Sequence, residues 1–342
     1  MANQVLTNAI DAVASGRDLQ ADEAGAVLRE IMEGNTSEAE TAGFLVGLRA
    51  KGETVGEIVG LARTMRELAL AVRPERDGLL DTAGTGGGAL TFNVSTTAAL
   101  VAAGAGCPVA KHGNRSSTSQ CGSADVLEAL GARIDLNPEA VAACIDELGF
   151  GFMFAPLHHP AMKHVVPVRK ALAVRTIFNF LGPLTNPAGA AHQVIGVSHP
   201  AYVDVVAAAL GELGGTSALV VSSEDGLDEI SVSAPTRVVE VRDGRTESFS
   251  VSAETFGVEP APLEELGAGT PDQNAAITRS VLAGEPGGPR AVVLMNAGAA
   301  IYAAGHADTM AAGAEAAAQA IDSGAALDLL DRFVARTQEL AA

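Results

Sequence analysis

Apolar residues recur at helical spacing from the start of the chain. Val5, Ala9, Ile10 and Val13 fall on one face, and Ala24, Val27, Leu28 and Ile31 repeat the pattern. Gly34 stands where a C-cap glycine belongs. Ser37 with Glu40, and Thr54 with Glu57, make two capping-box pairs. They precede the apolar sets Phe44-Leu45-Leu48 and Ile58-Leu61-Met65-Leu68. Four short helices with turn-length links are expected, forming a small all-helical domain over residues 1–73.

Beyond Pro74 the pattern shortens. Gly78 to Asp81 reads as a strand entering a glycine loop, and Ser95 to Ala103 as the helix that follows. Cys107 to Ala110 reads as a second short strand, entering a lysine-bearing loop. A helix starts at Asp125 and stops at Gly131; Asn137-Pro138 and Gly149 bracket the next. Ala218 to Ser222 reads as a strand feeding an acidic turn, and Ala291 to Asn296 as another strand. Met310 to Ala342 reads as two alanine-rich amphipathic helices. Strands alternating with helices predict an α/β fold, its sheet covered on both faces.

Charge changes the picture. The formal net charge is −19, a surface that disfavours nucleic acid and anionic membranes. The three cysteines are odd in number and include no C-x-x-C pair, which suits a reducing cytoplasm without disulfides. The start of the chain lacks a basic n-region and does not read as a signal peptide. The uncharged run from Thr82 to Ala110 has too short an apolar part for a bilayer, which needs about 20 residues.

Yet this acidic chain places no carboxylate between Asp81 and Asp125. That window holds Gly84-Thr85-Gly86-Gly87-Gly88, then Lys111-His112-Gly113-Asn114-Arg115, then Ser116-Ser117-Thr118-Ser119. Backbone amides, hydroxyls and two cations suit an anion, phosphate above all. Gly84, Gly86 and Ala89 loosely match a dinucleotide fingerprint, but the acid expected about 20 residues on is missing. Gly88-Ala89-Leu90 also departs from a P-loop. Asp228-Glu229, near Glu224 and Asp225, reads either as a solvated acidic turn or as hard ligands for Mg²⁺ beside a polyphosphate. His158, His159 and His164 fit no zinc spacing. Arg169 reads as a surface ion pair or as a fork for a substrate carboxylate.

These segments closely resemble the anthranilate phosphoribosyltransferase family. The resemblance rests on Gly84 to Gly87, Thr91 to Thr96, Lys111 to Arg115 and Ser123 to Gly131. It continues through His159 to Lys163, Arg175 to Asn179, Phe180 to Pro187 and Asp225 to Ser231, in family order over almost the whole chain.

The resemblance implies a small helical domain beside a larger α/β domain with a central, mostly parallel sheet. The helical part takes in an insertion at about 165–187, leaving 74–164 and 188–342 to the α/β part. It implies transfer of phosphoribosyl from phosphoribosyl pyrophosphate to anthranilate with Mg²⁺, two ions being expected, in a homodimer joined through the helical domains. By resemblance Gly84, Gly87, Gly88, Thr91, Asn93, Val94, Ser95 and Thr96 bind phosphoribosyl pyrophosphate. So do Lys111, His112, Gly113, Asn114, Arg115, Ser116, Ser117, Thr118, Ser119 and Ser123. Gly84, His112, Asn114, Arg169 and Pro183 line the anthranilate path, and Ser95, Asp228 and Glu229 hold metal.

One departure stands out: the family's first loop reads GTGGDG, whereas Gly87 is followed here by Gly88-Ala89-Leu90-Thr91. The loop is one residue shorter and lacks the aspartate. A pyrimidine nucleoside phosphorylase is the nearest alternative enzyme, but it would carry Lys-His-Ser-Thr-Gly where Lys111-His112-Gly113-Asn114 stands. A non-enzymatic nucleic-acid binder on the same fold is the alternative from another class.

Overall fold

The computed structural model describes residues 2–116, 120–267 and 269–341. Its first four helices are α1 (Gln4–Ala14), α2 (Ala21–Met32), α3 (Glu38–Lys51) and α4 (Val55–Glu67). Both capping boxes form: Ser37 and Thr54 accept from the amides of Glu40 and Glu57, whose carboxylates reach back. Gly34, at φ 80°, closes α2 with its N–H on Ile31, while Asn35 N–H reaches Glu30. The buried face of α1 is Leu6, Ala9, Ala12 and Val13. Val5 is exposed, so the α1 stripe lies one position further on than the sequence spacing suggests.

The rest is a seven-stranded sheet ordered β3-β2-β1-β4-β5-β6-β7. Its strands are β1 (Leu80–Gly84), β2 (Val109–Gly113), β3 (Phe150–Phe154), β4 (His192–Gly196), β5 (Ser217–Ser223), β6 (Thr236–Arg242) and β7 (Arg245–Val251). The first five run parallel, and β6 and β7 add an antiparallel hairpin at one edge. Helices α5 (Val94–Gly104), α6 (Ser123–Ala129) and α7 (Pro138–Leu148) follow β1 and β2. Asn137 caps α7 through Ala140 N–H, and Gly149 closes it at φ 81°.

The segment Ala291–Asn296 is not a strand. It lies inside a helix, Gly288–Ala303, that is buried on nearly every side. A short apolar run reads the same in a buried strand and a buried helix. Pro289 in the first turn and the small residues along the helix decide for helix here. Gly298 lets the backbone of the Met310–Asp322 helix come close, since a Cβ there would lie 2.6 Å from Ala314 N.

Two apolar cores result. One joins α5, α6, α7 and the C-terminal helices to one face of the sheet. The other joins α1 to α4 with Val165, Val168, Ile177 and Phe178, and runs on to Ile195 and Val220 beneath the opposite sheet face.

Candidate functional site

The carboxyl ends of β1, β2, β4 and β5 share one edge of the sheet. β2 and β3 lie on one side of β1, and β4 onward on the other, so the strand order reverses between β1 and β4. Ligands of open α/β sheets bind at such a switch point. Gly84 and Gly196 are register partners there. Both are covered by Asp228: a Cβ on Gly84 would sit 2.5 Å from its carboxylate, and one on Gly196 would overlap its carbonyl.

The two loops singled out in sequence leave the adjacent strands β1 and β2, and the acidic turn closes over the first. Gly86 N–H donates to Asp228 Oδ2 at 2.8 Å, and Ala89 N–H to the Gly226 carbonyl at 3.0 Å. Gly86 and Gly87 take φ of 70° and 76°, which glycine reaches without strain. Gly88 has no room for a side chain, because its Cβ would lie 2.6 Å from the Gly226 carbonyl. Thr91 bridges to Gly267, and Phe92 N–H bonds Leu266, tying down the loop's far end.

Helix α5 then begins without a side-chain cap. Asn93 spends its Oδ1 on Asn274 Nδ2 at 2.9 Å and on the Cys121 thiol at 3.1 Å. That thiol is buried, which pushes it up to about 11 and keeps it protonated. Val94 is buried and offers the site only backbone. Thr96 Oγ1 is buried without a hydrogen-bond partner among the described residues. Ser95 and Glu229 line a cavity of about 10 Å³ with Thr82 and Asn296, room for one water.

Asp228 and Glu229 are half-buried side by side. Burial pushes both carboxyls up, and the charge of Asp228 adds to the rise at Glu229, which reaches about 8. Two adjacent acids that resist ionising together suit a divalent cation, so the donor set fits Mg²⁺. Asp225 shapes their turn, accepting from the hydroxyls of Ser223, Ser231 and Ser233, each at 2.6 Å.

The lysine segment is not a loop at its start. Lys111, His112 and Gly113 are the last residues of β2. The strand alternation carries the Lys111 ammonium inward, where it donates to the Thr82 carbonyl at 2.6 Å. Burial lowers its pKa, against the opposing pull of Asp81 and Glu229. Asp81 takes His112 N–H at 3.1 Å and Asn186 Nδ2 at 2.7 Å. Asn114 N–H bonds Ser123 Oγ at 3.1 Å, closing the turn after Gly113. Arg115 is no free cation either: it pairs with Asp125 at 2.7 Å and with Glu128 on the following helix. Ser116 N–H donates to Asp125 at 3.3 Å. Ser117, Thr118 and Ser119 lie outside the described residues.

His112 Nδ1 donates to the Gly182 carbonyl at 3.2 Å, beside the buried Pro183, and its ring centre lies 5.1 Å from that of His159. Burial drives His112 down to about 3 and His159 to about 4, so both are neutral at ordinary pH. Arg169 is half-buried, 5.7 Å from the Phe178 ring, with no ion pair among the described residues. The surface-ion-pair reading of Arg169 therefore fails.

Family models divide the chain as its architecture does. Residues 7–69 match the helical bundle domain of a glycosyl transferase family, and residues 76–327 its a/b domain. An anthranilate phosphoribosyltransferase of Symbiobacterium thermophilum is 54% identical over 96% of this chain and 97% of its own length. One from Rubrobacter xylanophilus is 52% identical over 98% and 99%. This chain belongs to the anthranilate phosphoribosyltransferase family. The Thermus thermophilus transferase superposes with a TM-score of 0.92 at 47% identity, covering 96% of this chain and 99% of that one. The Saccharomyces cerevisiae transferase, solved in complex with PRPP and Mg, gives 0.90 at 28%, over 99% of each.

In this member of the transferase family, two residues not singled out as site residues in the sequence touch the glycine loop. Arg175 Nη2 donates to the Gly87 carbonyl at 2.6 Å, and Ser198 Oγ to that of Gly86 at 2.9 Å. Arg175 opens one of the segments that carry the resemblance, but both residues lie far from the loop in sequence, so no spacing pattern pairs them with it.

Proposed function

We infer that this chain transfers the phosphoribosyl group of 5-phosphoribosyl 1-pyrophosphate to the amine of anthranilate. The products are N-(5-phosphoribosyl)anthranilate and pyrophosphate, in tryptophan biosynthesis. The observation that carries the reading is the joining of the glycine loop to a half-buried carboxylate pair at the sheet's switch point.

Breaking the bond from ribose C1 puts charge on the leaving oxygens and leaves the sugar oxocarbenium-like. The amides of Gly87 and Gly88, which have no acceptor among the described residues, and the open start of α5 at Asn93 to Thr96 lie ready for that charge. Asn114, just past β2, and Ser123, at the start of α6, hold the phosphoribosyl side. Asp228 and Glu229, with Ser95, would hold Mg²⁺, which would supply positive charge to the departing diphosphate. Two ions are part of the proposal.

The anthranilate amine is already neutral and needs orientation more than deprotonation. Arg169, with no carboxylate partner among the described residues, takes the substrate's, and His112 and Pro183 flank the ring. Displacement proceeds with inversion and without a covalent intermediate. The helical domain of the proposal comprises residues 1–73 with the insertion at 165–187, and joins two copies in a cytoplasmic homodimer.

Loss of anthranilate fluorescence, followed with and without phosphoribosyl pyrophosphate and Mg²⁺, tests the activity. Consumption that needs all three is expected; unchanged fluorescence in the complete mixture rejects the assignment. Sedimentation at the mass of a single 34.5 kDa chain would remove the homodimer.

A further inference from the structure

We infer that Arg175, assisted by Ser198, is a positioning residue that aims two unpaired amides of the glycine loop at the diphosphate; the inference rests on the function proposed above. Arg175 Nη2 donates to the Gly87 carbonyl at 2.6 Å, and Nη1 to Ser198 Oγ at 3.2 Å. Ser198 Oγ in turn donates to the Gly86 carbonyl at 2.9 Å.

In a trans peptide the carbonyl of one residue and the N–H of the next point opposite ways. Fixing the Gly86 and Gly87 carbonyls on one side therefore turns the N–H groups of Gly87 and Gly88 to the other. Neither N–H has an acceptor among the described residues, whereas those of Gly86 and Ala89 on either side are taken by Asp228 and Gly226. Two successive free amides in a loop form an anion nest.

The guanidinium suits this task. It has no ion pair among the described residues, and its charge is felt at Asp228. It lies so close over Gly87 that a Cβ there would overlap it. Its own carbonyl is held by Arg49 of α3 at 2.7 Å, which anchors the residue independently of its side chain. With the side chain removed, the Gly87–Gly88 peptide is free to rotate and the nest loses its aim.

The test compares Arg175→Met, Arg175→Lys and Ser198→Ala with the wild type. Pyrophosphate binding with Mg²⁺ is read by calorimetry, and both KM values by steady-state kinetics. Arg175→Met is expected to weaken pyrophosphate binding and raise the KM of phosphoribosyl pyrophosphate roughly tenfold or more, the scale of a lost charged hydrogen bond. The anthranilate KM stays within about twofold, and Arg175→Lys recovers part of the loss by restoring a donor. Unchanged pyrophosphate affinity in Arg175→Met, or equal rises in both KM values, overturns the inference. Should Arg175→Met not fold, Ser198→Ala decides: a smaller rise confined to phosphoribosyl pyrophosphate supports the role, and no change refutes it. A wild type that binds neither pyrophosphate nor phosphoribosyl pyrophosphate refutes the proposed function itself, which separates the two failures.

Discussion

Gly86 N–H donates to Asp228 Oδ2 at 2.8 Å, so the glycine loop and the acidic turn are one hydrogen-bonded unit. The carboxylate proposed to hold metal already orients the loop proposed to hold diphosphate. Replacing Asp228 and Glu229 together by Asn and Gln should cut kcat/KM by two orders of magnitude or more, as losing an electrostatic stabiliser does. The residual rate should not respond to a Mg²⁺ titration. A double variant still driven by Mg²⁺ would take both residues out of the metal site.

Gly196→Ala tests the same unit from below. Its Cβ would overlap the Asp228 carbonyl, and backbone cannot yield cheaply. We expect activity to fall and the thermal midpoint to drop, by a few kcal/mol of stability, the scale of overpacking. A variant with wild-type melting and wild-type Mg²⁺ dependence would show that the turn does not need this close approach.

Arg169→Ala should raise the anthranilate KM about 10- to 100-fold, the scale of a lost charged hydrogen bond. The KM of phosphoribosyl pyrophosphate should move much less. Arg169→Lys should rescue poorly, because an ammonium cannot imitate the planar fork. Equal rises in both constants would count against a role in holding the carboxylate.

The shortened loop makes its own prediction. Gly88→Asp should be damaging, since its Cβ would lie 2.6 Å from the Gly226 carbonyl and add a third acid beside Asp228. Inserting Asp after Gly87 instead should shift the Mg²⁺ optimum. Identical kinetics across a Mg²⁺ titration would refute any consequence of the departure from GTGGDG.

Acid should destabilise the fold through its buried imidazoles. The folded pKa of His159 is lowered, from 6.5 to about 4, by burial. The unfolded chain therefore binds a proton first as pH falls, and this contribution to stability is full above pH 6.5 and lost on the way down to about 4. For His159 the loss is about 2 kcal/mol between roughly pH 7 and pH 5. His159→Gln should flatten that slope in thermal unfolding; an unchanged slope would mean that the imidazole is not neutral and buried.

Much of this was legible in the sequence because it is local. Capping boxes and glycine stops lie within a few residues of one another, and both N-terminal boxes formed as spaced. The gap in carboxylates gave away the first loop, since composition survives without knowledge of the fold. What stayed hidden depends on partners far along the chain. The inward turn of Lys111 follows from β2 extending through it, and Arg115 meets its acids only once α6 is formed. Arg175 and Gly87 are 88 positions apart. Ala291 to Asn296 misled because its surroundings, not its residues, distinguish a buried helix from a buried strand.

The carbonyl of Arg175 hangs from Arg49, on a helix that carries none of the proposed substrate contacts. Turnover can thus be tuned by evolution from α3: a swap that nudges this outlying helix retunes the anion grip while every reactant-touching side chain stays the same. Relatives with identical pocket residues can then differ in speed, and the place to look for the cause is the bundle.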